Sequence, residues 1–240
     1  MKIEISACSF QGGREYNEDT VKFLQMDDTA VVVVADGLGG HGGGQIASSI
    51  VADVITRSFM NERAMKPDSI RKIYEYANTE VVKAQTQAVK MKSTGVAVFL
   101  KNNAIIYGHA GDSRFYHFIN GVLAFQTLDH SVSQLAVLTG EITKEQIRLH
   151  DDRNKVLRAF GDDESFKAEI SDMQKLGRGS HAFLLCTDGF WEYIWEAEME
   201  IELSKVSAPD EWIKCMIQRV AQRAPQNQDN FSAAAVFITV

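Results

Sequence analysis

Proline, cysteine and tryptophan are scarce in this chain of 240 residues, with three of each, and positive charge is in the minority. Cys8, Cys186 and Cys215 are odd in number and lack metal-ligand spacing. That excludes a disulfide framework or a zinc ribbon and predicts reduced thiols in a cytoplasmic protein. Pro67, Pro209 and Pro225 are too dispersed for a proline-rich linker, and no internal repeat or low-complexity tract is present. No apolar run approaches the roughly 20 residues that cross a bilayer. The opening MKIEISACSF has neither the basic nor the apolar region of a signal peptide. The balance of 25 basic against 32 acidic side chains, net −7, argues against nucleic acid as a main partner. With 45% hydrophobic residues the chain is globular rather than disordered, and its length suits a single domain over residues 1–240.

What is present is concentrated in TAVVVVADGLGGHGGG, residues 29–44. A β-branched run, Val31 to Val34, reads as a buried strand. It ends in Asp36, and six glycines follow within eight residues, Gly37 to Gly44. Glycine lets the backbone turn sharply and come close to a ligand. The result is a carboxylate at the end of a rigid strand beside unobstructed backbone, a setting for a hard metal ion or a phosphate. The stretch from Gly37 to Gly42 also matches the dinucleotide fingerprint GxGxxG. That reading needs a compact strand–helix–strand unit. The next strand-like run is STGVAVFLK at 93–101, after two helical stretches.

The pattern recurs. Strand-like AIIYGHA runs into Gly111-Asp112-Ser113-Arg114, and HAFLLCT runs into Asp188-Gly189. Asp229-Asn230 precedes FSAAAVFITV, and EISACSFQGGR leads into Asn17-Glu18-Asp19. One acid at a strand end is a turn residue. Several in one domain predict a converging cluster, strongly repulsive when empty and suited to Mg²⁺ or Mn²⁺. Between these runs, residues 44–63 and 68–91 read as helices. In the second, Ile70, Ile73, Ala77, Val81, Ala84 and Ala88 recur at helical spacing. Residues 93–127 read as strands joined by turns at Asn102-Asn103 and Asn120-Gly121. Residues 131–150 read as helical, and two further helices are expected near 195–205 and 209–223.

Seven motifs carry a resemblance: Arg14-Glu15-Tyr16-Asn17-Glu18-Asp19, Ala35-Asp36-Gly37-Leu38-Gly39-Gly40-His41, Ser93-Thr94-Gly95, Gly111-Asp112-Ser113-Arg114, Leu128-Asp129-His130-Ser131, Thr187-Asp188-Gly189 and Asp229-Asn230. In this order, from Arg14 to Asn230, they resemble the metal-dependent serine/threonine protein phosphatases of type 2C in their compact bacterial form. The resemblance implies an α+β fold. Two antiparallel β-sheets would pack as a sandwich flanked by pairs of helices, with a flap over residues 131–157 that contains Gly140.

The resemblance also implies roles. Asp36 would bridge two Mn²⁺ or Mg²⁺ ions, and the Gly37 carbonyl would join one of them. Asp188 and Asp229 would complete the first ion, Glu18 would hold the second, and Asp112 would share a weaker third with Asp188. Asp19 would support the ligands from behind. Arg14 would clamp phosphate oxygens with its planar guanidinium. The ions would activate a water for attack on phosphorus without a covalent intermediate. His41, or a water on a metal, would protonate the leaving group. Many eukaryotic relatives instead carry histidine at the position of Leu38. The implied partners are phosphorylated proteins, among them a bacterial serine/threonine kinase or its targets, met by a monomer in the cytoplasm. A non-catalytic binding module and a nucleotide-dependent oxidoreductase are the competing readings.

Overall fold

The computed structural model describes residues 2–39, 42–87, 89–162 and 166–240. The chain opens with β1 (Lys2–Phe10), β2 (Thr20–Met26), β3 (Thr29–Ala35) and the short β4 (Gly37–Leu38). Two helices follow, α1 (Gly43–Glu62) and α2 (Pro67–Ala84). Then come β5 (Lys92–Ser93), β6 (Gly95–Lys101), β7 (Ala104–Ala110), β8 (Arg114–Ile119) and β9 (Val122–Gln126). The flap contains α3 (Val132–Leu138) and a 3₁₀ turn at Lys144–Leu149. The last third holds β10 (Glu169–Ile170), β11 (Gln174–Lys175), β12 (Ser180–Cys186), α4 (Asp188–Trp191), α5 (Glu196–Leu203), α6 (Pro209–Arg223) and β13 (Phe231–Thr239).

Most strands form two antiparallel sheets, and β4 pairs with β5 alone. One runs β1-β13-β12-β8-β9; the other runs β10-β7-β6-β3-β2, with β11 also on β7. The burial of β3 shows why its valines are continuous rather than alternating. Val31, Val33 and Ala35 pack beneath α1 and α2, while Ala30, Val32 and Val34 face the opposite sheet. A strand covered on both faces needs apolar residues at every position. β12 repeats the arrangement: Ala182, Leu184 and Cys186 meet α5 and α6, and Phe183 and Leu185 fill the space between the sheets. Three stacked cores result, one between the sheets and one under each helix pair. This is the α-β-β-α sandwich that the resemblance implies.

Local signals act where they were expected. Pro67 and Pro209 occupy the first turns of α2 and α6, where a missing N–H costs nothing. Asn120 and Gly121 both adopt positive φ, 50° and 84°, as the tight turn joining two twisted strands requires. One expectation needs correction. The helix expected over 68–91 ends at Ala84. The chain turns extended at Gln85, whose side-chain amide donates to the carbonyls of Met91 and Gly161. Tertiary contacts there outweigh a periodicity that no proline or glycine interrupts. Ala88 lies outside the described residues. The helical segment 131–150 consists of two short pieces, α3 and the 3₁₀ turn, on either side of Gly140, which has φ +79°. The base of the flap is pinned by Leu157 N–H donating to His130 O and Val132 N–H to Lys155 O.

Candidate active site

Both sheets send acids to one edge. Asp36 follows β3, and Asp112 follows β7 in the same sheet; Asp188 follows β12, and Asp229 precedes β13 in the other. With Glu18, Gly37 and Arg14 they line one cavity of about 360 Å³, whose rim includes Tyr16, Asn154 and Val156. Every described residue that the sequence reading assigned to the metals or the phosphate therefore borders a single cavity. His41 lies outside the described residues.

Backbone contacts hold each acid. The Asp36 carbonyl accepts from Thr94 N–H at 2.8 Å and Ser93 Oγ at 2.9 Å, and its N–H donates to Thr94 Oγ1. Glu18 Oε1 accepts from Gly44 N–H at 3.1 Å at the start of α1. Glycine is required at this junction. A Cβ on Gly37 would lie 2.2 Å from the Gly44 carbonyl oxygen, and one on Gly44 would lie 2.7 Å from both Glu18 Oε1 and Gly37 O. The glycines bring a carboxylate and a carbonyl oxygen together. Asp188 begins α4, where its Oδ1 accepts from Gly189 N–H. Arg14 donates to Asp229 Oδ2 at 2.6 Å with its side chain half exposed. The guanidinium that the resemblance assigns to phosphate thus rests on a candidate metal ligand.

The charge balance is lopsided. Burial and the neighbouring acids Asp188, Asp19, Asp112 and Asp229 hold the Asp36 carboxyl well above the usual carboxylate range. Burial, then Asp112, does the same to Asp188. Asp112 is pushed up to about 7 by burial and by Asp129. Asp19 also rises to about 7, chiefly through burial, although Thr187 Oγ1 donates to it. Oδ1 of Asp112 and Oδ1 of Asp19 are buried without a hydrogen-bond partner. A buried group of hard oxygen donors in excess of its counter-charges fits divalent cations of the Mg²⁺ or Mn²⁺ kind.

Sequence reasoning missed the residues that brace these acids. The amide of Asn230 donates to the carbonyls of Gln11 and Tyr16, and its Oδ1 accepts from Glu18 N–H, tying the β1–β2 loop to β13. Ser48 Oγ donates to Glu18 O at 2.6 Å. Arg114 forms a buried bidentate pair with Asp129 at 2.8 and 2.7 Å. The motifs Asp229-Asn230 and GDSR marked Asn230 and Arg114 as local; nothing in the sequence announced that Asn230 holds partners more than 200 residues away or that Arg114 pairs with Asp129.

A second cluster joins His109, His130 and Glu169, whose donor atoms lie within 4.8 Å of one another. It is unsuited to a shared ion. The two imidazoles stack with centroids 4.4 Å apart and planes 10° from parallel. An ion lies close to the plane of each ring that binds it, and two parallel planes offer no common point. Nδ1 of His130 also accepts from Gly111 N–H, while its N–H donates to Gly111 O. His130 is a clasp on the turn before Asp112.

Comparison with known proteins agrees. The family model for protein phosphatase 2C matches residues 11–230. The serine/threonine phosphatase stp of Listeria monocytogenes is 32% identical over 196 residues, covering 78% of this chain and 77% of that protein. The crystal structure of the Mycobacterium tuberculosis serine/threonine phosphatase PstP/Ppp superposes with a TM-score of 0.85 at 25% identity, covering 99% of each chain. The catalytic domain of PstP in complex with 2 manganese ions shares the fold, with a TM-score of 0.84 at 23% identity over 99% of each chain. The chain belongs to the protein phosphatase 2C family, the metal-dependent serine/threonine phosphatases.

Proposed function

We propose that this chain removes phosphate from phosphoserine and phosphothreonine in proteins, using divalent cations held by the acids at the sandwich edge. The observation that carries the reading is the meeting of Asp36, Asp112, Asp188 and Asp229, from the ends of both sheets, around one cavity with too little positive charge. Asp36 would be shared by two ions, and the Gly37 carbonyl would join one of them; Asp188 and Asp229 would complete the first, Glu18 would hold the second, and Asp112 with Asp188 would hold a weaker third. Manganese is the first ion to test, because the PstP catalytic domain is a complex with 2 manganese ions. Bound there, such ions lower the pKa of a water they hold and offset charge on the phosphoryl oxygens.

The chain's own groups do the rest. Arg14, at the exposed rim, exchanges Asp229 for two phosphate oxygens when substrate enters. Its planar fork suits that task better than an ammonium would. Asn230 and Ser48 keep the Arg14–Glu18 loop in place through the bonds described above. His41 is the proposed donor of the proton that the departing alkoxide needs. The surface around the cavity meets the protein part of the substrate. On this reading the phosphoproteins include a serine/threonine kinase or its targets, and the enzyme works as a monomer in the cytoplasm, where its three free thiols stay reduced.

The test is hydrolysis of a phosphothreonine peptide and of p-nitrophenyl phosphate with Mn²⁺, with Mg²⁺ and with excess EDTA. Turnover that needs the metal and stops with EDTA is expected. Folded protein that turns over neither substrate with either ion would leave a binding module in its place.

A further inference from the structure

Oδ1 of Asp112 is buried without a hydrogen-bond partner, so the position of the main chain that carries it bears directly on the aim of that oxygen. That main chain is gripped on both sides. His130 holds Gly111 through both of its backbone groups. On the other side the indole N–H of Trp191 donates to the Asp112 carbonyl at 3.0 Å.

Trp191 is almost fully buried and stands in the same helical turn as Asp188, the last residue of α4 to Asp188's first. Its ring face lies 3.4 Å from the guanidinium carbon of Arg114, two residues beyond Asp112. Its own carbonyl accepts from Nε of Arg148, in the 3₁₀ turn of the flap. One side chain therefore joins the turn that bears Asp112 to the helix that bears Asp188, and two arginines fix where it stands. No motif marks it, and a buried tryptophan beside TDG reads as core.

We propose that Trp191 is a positioning residue: its indole N–H sets the Asp112 carboxylate against Asp188, and the affinity of the cation shared by these two acids depends on that bond. The inference rests on the reading of Asp112 and Asp188 as metal ligands. The bond acts at a distance of one residue, through the peptide group that follows the Asp112 Cα. It costs no ligand and touches no substrate.

The experiment is a calorimetric Mn²⁺ titration of the full chain, of Asp112→Ala, of Trp191→Phe, and of protein with benzothienylalanine placed specifically at 191. The last keeps the ring's shape and loses only the N–H. Asp112→Ala identifies the binding step to watch. The isostere is expected to weaken that same step about tenfold, the scale of one buried hydrogen bond, and to leave the other steps within about threefold. Trp191→Phe should do the same at a lower melting temperature. If the isostere leaves every step unchanged, or weakens all alike, Trp191 is packing and the proposal falls. It falls as well if Asp112→Ala removes no step. If the unmodified chain binds no Mn²⁺ at all, the metallophosphatase reading fails first.

Discussion

At the scale of single residues, the site is built by crowding like charges and removing side chains. Asp36→Asn or Asp188→Asn should lower turnover by at least about a thousandfold. The melting temperature of the metal-free protein should stay level or rise, because one repelling carboxylate is gone. Phosphopeptide kinetics and calorimetry with EDTA check both halves; a lower metal-free melting temperature would contradict the crowding. Gly37→Ala drives a methyl into the Gly44 backbone and is expected to cost about 3 kcal/mol or more. Gly177→Ala, where a Cβ meets nothing within 4 Å, is the neutral control. The acids were legible in the sequence because an acid at the edge of an apolar strand-like run, as Asp36 is after Val31–Val34, is a strong local signal when it recurs. Asn230, Ser48 and Trp191 were not legible. Each acts through a backbone carbonyl, and which carbonyl lies near is a property of the folded chain.

At the scale of elements, strands were easier to read than helices. A strand covered on both faces writes its burial into every residue, as β3 and β12 do. The end of α2 is written instead in the amide of Gln85, which caps nothing that its neighbours in sequence reveal. The flap shows the same limit. Arg153 and Arg158, near its base, reach Glu192 and His130. The buried anchor is Arg148, which donates to the carbonyls of Trp191 and Ile194 and to Glu196. Its loss strands a carboxylate and two carbonyls, so Arg148→Ala should destabilise by about 3 kcal/mol. Denaturant midpoints will show it, and Arg153→Ala, at a partly buried pair, should cost less, about 1 kcal/mol.

The β8–β12 pairing carries a pH dependence of its own. His117 Nε2 and His181 Nδ1 are 2.9 Å apart, and His181 Nε2 donates to Gly177 O. Burial, then the charge of His181, lowers the His117 pKa to about 4. Its value in the folded state lies below the unfolded one, so the unfolded chain binds the extra proton between about pH 6.5 and 4. Stability from this group is full above that window and is lost as pH falls through it. His117→Phe should flatten the decline by about 1–2 kcal/mol when urea midpoints at pH 7 and 4.5 are compared.

For the whole molecule, cation binding and folding are linked, because the unfolded chain has no such site. Mn²⁺ at 100 times its dissociation constant should add about 2.7 kcal/mol to unfolding, and EDTA should remove it. Thermal scans across a metal series test this independently of catalysis. The proposed ligands also have a mechanical meaning. Asp36 and Asp112 lie at strand ends of one sheet and Asp188 and Asp229 at strand ends of the other, and the layer between the sheets is chiefly apolar side chains, which slide more easily than they separate. An ion gripped from both sides is a rivet through two plates. Pulled along the strands in opposite directions, the loaded protein should yield at a higher force than the stripped one, and the first thing to break would be the site itself.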